Sequence, residues 1–205
     1  MMGMMTRLLR LLAPMTALLL ASCLTPTTDP QRLPAGQWSL DPGHASLTWQ
    51  VQHMGLSWYT GRFDDFDATL DFDPAAPGTA RMTAIIETAS ISTGDPDFDA
   101  DLASDWLNAG QHPQILFRTT QIDVTGETTG QVTGELTLNG VTNPVTLNVT
   151  FNGGLTNWLE GRPALGFSAD GHLDRDMFNV GNLPHSIVGP TVRILIEAEF
   201  LREED

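Results

Sequence analysis

Alternation with a period of two constrains this chain more than any other feature. After the turn residues Asp41-Pro42-Gly43, the apolar Leu47, Trp49 and Val51 alternate with Thr48, Gln50 and Gln52, the mark of a strand with one buried face. The pattern recurs far downstream. Val145, Leu147, Val149 and Phe151 alternate with Thr146, Asn148 and Thr150, and Val192, Ile194, Ile196 and Ala198 with Arg193, Leu195 and Glu197. Segments 81–91, 114–124, 130–139, 144–152, 164–174 and 191–200 join two earlier strands to make about eight. Thr125-Gly126-Glu127 and Leu138-Asn139-Gly140 carry residues that tolerate positive φ and read as hairpin connections. Eight locally joined strands, each apolar on one face, predict an all-β fold, a single antiparallel up-and-down barrel rather than a sandwich. One segment departs from this period. In residues 97–112, Phe98, Leu102, Trp106 and Leu107 fall at helical spacing behind a run of aspartates and ahead of Gly110 and Pro113, a short helix that would cap one barrel end.

The chain opens with Arg7 and Arg10, an apolar run from Leu11 to Leu20, and then Ala21-Ser22-Cys23. The run is too short to cross a bilayer, which takes about 20 residues, and reads as a secretory signal. Leu20-Ala21-Ser22-Cys23 resembles the bacterial lipoprotein signal, in which the cysteine is acylated and becomes the first mature residue. Cys23 is also the chain's only cysteine, so a disulfide is not available to it. Two or more acyl chains suffice for stable anchoring. Leu24, where an aspartate would signal retention at the inner membrane, favours the outer membrane by the same resemblance. The expected organisation is a signal at 1–22, the lipidated Cys23 with a flexible Pro/Thr/Gly-rich tether to residue 37, and one domain over 38–205. The protein is then an envelope lipoprotein facing the periplasm.

Every basic residue is an arginine, and the formal charge of −15 becomes −17 once Arg7 and Arg10 leave. No basic patch remains to neutralise the phosphates of nucleic acid, and polybasic attachment to anionic lipid is excluded on the same ground. Asp95, Asp97, Asp99 and Asp101 invite a calcium reading, but no register puts a glycine and a glutamate where the loop needs them; they suit a helix start instead. The five histidines, at 44, 53, 112, 172 and 185, show no metal-ligand spacing. A Gly-x-Ser-x-Gly elbow is absent. The expectation is a binding protein without catalytic residues, metal or cofactor.

What remains is the barrel interior. Parity puts Trp49, Val51 and His53 on one inner face, opposite Phe66, Ala68, Leu70 and Phe72, with Ala84 and Ile86 beyond. An inward His53, followed by Met54-Gly55 and the aromatic stretch with Trp58, Tyr59 and Phe63, suggests a cavity mouth rimmed by these residues, while the sequence does not fix which barrel end opens. Eight strands can also enclose no more than their own side chains, and then the domain would be a ligand-free interaction module.

Taken in order, several short motifs resemble those of the YceI-like proteins. They are Trp38-x-Leu-Asp-Pro-x-His-Ala-x-Leu, Val51-x-His-Met-Gly-Leu with Gly61-x-Phe63, Ser90-Ile91-x-Thr93 followed by Asp99-x-x-Leu102, and Pro113-x-Ile115-x-Phe117. Gly134-x-Leu-Thr-Leu-x-Gly-Val-Thr142 with Pro144-Val145, and Arg175-x-x-Phe178, complete the set. The resemblance implies a lipocalin-like barrel that holds an extended polyisoprenoid, such as a quinone tail or prenyl phosphate, as its partner in the envelope. It adds Phe117 and Phe178 to the candidate ligand-binding residues Trp49, Val51, His53, Met54, Trp58, Phe66, Leu70, Phe72 and Ile86. Asp101 stands where many members have a histidine, and Asn179 where a glycine is usual.

Overall fold

The computed structural model describes residues 25–204; the signal segment and Cys23 lie outside them. Ten strands follow in order: β1 (Gly36–His53), β2 (Ser57–Phe63), β3 (Phe66–Phe72), β4 (Arg81–Glu87), β5 (Ile91–Ser92), β6 (Gln114–Val124), β7 (Thr129–Leu138), β8 (Val141–Asn157), β9 (Arg162–Asp174) and β10 (Val188–Arg202). All pair antiparallel, and β10 closes the ring by pairing along β1 from Trp38↔Arg202 to His53↔Val188. On its other edge β1 meets β3 near its start, Gly36↔Phe72, and β2 near its end, Leu47↔Phe63 to His53↔Ser57. β2 and β3 therefore share one position in the wall, and β4 and β5 share the next, with β5 pairing β2 through Phe63↔Ile91. The result is a closed eight-stranded barrel. Closure leaves no long unpaired edge, which is how an all-β chain of this length avoids edge-to-edge association.

Asp41-Pro42-Gly43 does not precede the first strand; it interrupts it. Residues 41–44 stand opposite Glu199 alone, between the pairs Leu40↔Phe200 and Ala45↔Ala198. Proline cannot donate to the ladder, so the chain bulges outward there and resumes with the same face inward. The β7–β8 connection is the two-residue Asn139-Gly140 turn, with φ of 51° and 75°, the conformation Asn-Gly favours.

The β8–β9 hairpin is longer than the strands expected over 144–152 and 164–174, and β8 runs on through Gly153-Gly154. Both glycines are in the strand, paired with Gly166 and Leu165. A Cβ at Gly154 would come within 2.7 Å of Leu165 and 2.8 Å of Leu33. The space is filled by the N-terminal segment: Thr27 exchanges two backbone hydrogen bonds of 2.9 Å with Gly154, residues Pro30–Arg32 form a 3-10 turn capped by Asp29, and Leu33 is buried. The flexible tether expected over 23–37 is thus docked from Thr27 onward, because two adjacent glycines let a backbone lie against β8.

The segment expected to be helical is α1 (Pro96–Asp101), with Asp95 capping Phe98 N, followed by a wider turn in which Leu107 N donates to Leu102 O at 3.0 Å. Asp99 Oδ1 accepts from both the amide and the hydroxyl of Thr93, each at 2.6 Å. Asp95 and Asp99, two of the four alternating aspartates, are thus engaged in local capping and turn bonds. Among the described residues no helix is long and apolar enough to span a membrane.

Candidate functional site

The interior holds two apolar clusters. One joins Trp49, Ile86, Ile115, Phe117, Leu138, Val145, Leu147 and Phe178 with Leu102 and Leu107 from the cap; the other gathers Trp38, Leu40, Leu70, Phe72, Leu165 and Phe200 around Leu33. They lie toward opposite ends of the barrel. The end carrying His53 and Val188 is called the upper end here, and the one carrying Gly36 and Arg202 the lower. Between the clusters runs a cavity of about 770 Å³, within the ~300–1,000 Å³ range of small-molecule sites. The barrel is not packed solid.

Eight of the eleven sequence candidates line this cavity: Trp49, Val51, His53, Phe66, Leu70, Phe72, Ile86 and Phe117. Three do not. Met54 takes a positive φ in the β1–β2 turn and is exposed. Trp58 lies under the Arg193 guanidinium, 3.5 Å from ring centroid to Cζ, because strand parity puts it on the outer wall opposite Gln52. Phe178 is fully buried in the upper closure, behind the cavity surface. His53 lines the cavity at its upper edge and is exposed there, since the strand ends at this residue. The wall also uses Val145, Leu147, Val149, Phe151, Ile194 and Ile196, residues whose alternation was legible in the sequence.

The upper end is largely closed. Arg175 is 3% exposed and spends all five N–H donors on backbone carbonyls. Nε donates to Gly189 at 3.1 Å, Nη1 to Val180 at 2.9 Å and Gly181 at 3.3 Å, and Nη2 to Leu183 at 2.7 Å and Val188 at 3.1 Å. This folds the β9–β10 connection over the barrel. Asparagines stitch it to its neighbours: Asn108 Nδ2 donates to Asn139 Oδ1 at 2.8 Å, and Asn139 Nδ2 to the carbonyls of Phe178 at 3.1 Å and Asn179 at 2.9 Å. Asn179 has φ of 53°, a left-handed conformation that asparagine tolerates next best to glycine. Its departure from the family's glycine therefore keeps the turn.

The lower end is where the cavity meets water. Exposed residues lining it there are Thr28 and Pro30 from the docked N-terminal segment, and Val124, Gly126, Glu127 and Thr129 around the β6–β7 hairpin. At the upper end only His53 and Tyr59 combine lining with exposure. The mouth expected beside Trp58 is thus chiefly at the opposite end. Loop residues with no periodicity form it, so sequence reading had no signal to follow.

The lining is almost wholly apolar. Its charged members are Glu127 at the mouth and Arg175, whose hydrogen-bonding capacity is already used. A distinct polar group sits on the outer wall. The β1 bulge brings His44 Nδ1 to 2.9 Å from Asp41 Oδ2, and donor atoms of Asp41, His44 and Glu199 lie within 4.8 Å of one another. Sequence spacing could not reveal this, since Glu199 arrives from the far end of the chain.

The Asp41 hydrogen bond, then the charges of Asp41 and Glu199, raise the His44 pKa above the ordinary 6.5. Because the folded-state value is the higher one, the contribution to stability is fully present below about pH 6.5 and is lost as pH rises through the raised value. Asp41→Asn is expected to move the His44 titration, followed by NMR, back toward the ordinary value; an unmoved titration would refute the assignment.

An antiparallel closed barrel around an elongated apolar cavity is the lipocalin-like class of fold. Residues 38–200 match the YceI-like domain family. The chain is 35% identical over 165 residues to a UPF0312 protein of Pectobacterium atrosepticum, covering 78% of this chain and 83% of that one. Among solved structures it is similar to Burkholderia cenocepacia BcnA, with a TM-score of 0.70 and 27% identity over 78% of this chain and 98% of that one. It also resembles a polyisoprenoid-binding domain from Saccharophagus degradans, with a TM-score of 0.58 and 13% identity over 83% of this chain and all of that domain, a likeness of fold. The chain belongs to the YceI-like family.

Proposed function

We propose that this protein binds a polyisoprenoid, or a similar long-chain lipid, in its barrel and stores or carries it in the bacterial envelope, held to a membrane by acylated Cys23. The observation that carries the reading is the apolar cavity of about 770 Å³ that reaches water at the lower end. The polyisoprenoid-binding domain with the same fold supports the ligand class. Burying one five-carbon isoprene unit is worth roughly 4 kcal/mol relative to water, at ~0.8 kcal/mol per carbon group. A bilayer offers nearly the same, so exchange between membrane and barrel is close to balanced and selectivity falls to cavity shape and the head group.

The lining favours a neutral head over a phosphate. A buried phosphate needs a cation or several free donors. Arg175 has no N–H left to give, and Glu127 at the mouth adds like charge. A quinone-like ring satisfies these conditions better than a prenyl phosphate drawn fully inside.

The test is mass spectrometry of the organic extract from a soluble version beginning at Thr25, which keeps the docked N-terminal segment, purified without detergent beside an unrelated periplasmic protein. One prenyl species near one per protein is the expected result. An empty extract, with no uptake from prenyl-lipid vesicles, would sink the carrier reading. It would favour a ligand-free interaction module using the exposed apolar residues of the upper end, Met54, Leu56 and Ile187 among them.

A further inference from the structure

We infer that the tip of the β8–β9 hairpin is a membrane-docking element, which sets the barrel mouth down on a neutral phospholipid surface. The inference rests on the carrier reading for its purpose and on separate observations for its geometry. Trp158 and Leu159, at the tip, are 70% and 71% exposed, adjacent large apolar side chains that the fold leaves in water. Tryptophan beside an aliphatic residue is the pairing that settles at the boundary between head groups and acyl chains.

The occupant of this surface follows from where the described chain begins. Thr27 is fixed to Gly154 by two backbone hydrogen bonds. Cys23 lies four residues before Thr27, and Trp158 lies four residues after Gly154. Four residues reach at most about 14 Å. The acylated residue and the hairpin tip are thus leashed to one point by spans of equal length, so an anchored barrel presents the tip to the bilayer that holds the anchor. The exposed apolar residues of the upper end, at the far end of the same barrel, face away.

Charge narrows the surface further. The chain carries a net −15, so electrostatic attraction to anionic lipid is not available, and docking must be apolar. The consequence is functional: the lower mouth, with Thr28 and Pro30 on the docked segment and Val124 and Thr129 on the β6–β7 hairpin, opens at the same end as the tip. A prenyl chain would pass between bilayer and cavity with little exposure to water.

The chain's only cysteine makes the test direct. The mature chain from Cys23 is coupled through its thiol to a maleimide lipid in phosphatidylcholine vesicles, so the anchor is present whether or not the protein was acylated. With brominated acyl chains in the vesicle, Trp fluorescence is expected to be quenched, and Trp158→Ser to abolish the quenching while leaving the four other tryptophans in their folded environment. Transfer of a loaded prenyl quinone into the same vesicle is expected to slow about tenfold in a Trp158→Ser/Leu159→Ser double variant, a factor equivalent to losing one modest apolar contact. Equal quenching with and without Trp158 overturns the docking role, even if the barrel carries lipid. Quenching that depends on Trp158 in a barrel that binds no prenyl lipid would preserve docking and overturn the carrier reading. Normal transfer by the double variant shows that the tip does not serve exchange, and overturns its purpose.

Discussion

Arg175→Met is expected to destabilise the protein by about 3–5 kcal/mol, a loss of roughly 6–20 °C in unfolding midpoint for a domain of this size. The side chain is buried, and its five N–H groups satisfy the carbonyls of Gly189, Val180, Gly181, Leu183 and Val188. Methionine matches much of the stem but leaves those acceptors facing an apolar end. Each buried orphan costs about 1–3 kcal/mol, less whatever water entry recovers. Arg175→Lys is expected to fail almost as badly, because one ammonium cannot reach acceptors arranged around a planar fork. Thermal unfolding followed by circular dichroism decides the matter. A shift below about 3 °C for both variants would mean that the β9–β10 connection is held by something other than Arg175.

The second large effect concerns cargo. Ala84 and Ala169 both line the cavity, where a larger side chain enters empty space instead of a packed core. Ala84→Trp combined with Ala169→Trp is expected to keep the fold and reduce occupancy about a thousandfold when lipid is offered from a bilayer. The reasoning is that excluding one isoprene unit forfeits ~4 kcal/mol of burial which the bilayer still offers. Overpacking normally destabilises by 1–3 kcal/mol because there is nowhere to go; here the volume is present. Lipid stoichiometry in detergent-free protein, measured beside the unfolding midpoint, separates the outcomes. Unchanged stoichiometry in a well-folded double variant would show that the lipid is not in this cavity.

The two substitutions exercise different parts of one design. The upper closure is polar and specific: Arg175, Asn108 and Asn139 place the cap and two connections by directional bonds. The cavity wall is apolar and permissive, defined by parity and little else. Rigid closure at one end and an apolar channel open at the other let a barrel hold a flexible chain without collapsing on itself.

Much of this was legible in the residues. Alternation over 47–51, 145–151 and 192–198 identified wall strands and their inward faces, because the pleat makes side-chain direction a matter of parity. Asn139-Gly140 marked its own turn, and the spacing of Phe98, Leu102 and Trp106 marked the cap. The strand ends were less plain. His53 does line the cavity, at the exposed upper edge, whereas Trp58, read as part of a rim from the aromatic stretch, stacks under Arg193 on the outer wall, where parity puts it. The strand expected over 144–152 runs on through Gly153-Gly154, where the N-terminal segment lies against β8.

Short-range rules set the barrel class, the inward faces, the turns and an apolar interior, and all of these could be read along the chain. Which end opens, the locking of the other by Arg175, the meeting of Asp41, His44 and Glu199 on the outer wall, and the tie from Thr27 to the hairpin that exposes Trp158 emerged only in the folded barrel. The reason is physical. Parity and turn preference act between residues a few positions apart, whereas a mouth, a buried guanidinium's acceptors and a docked terminus depend on which segments closure of the ring brings side by side.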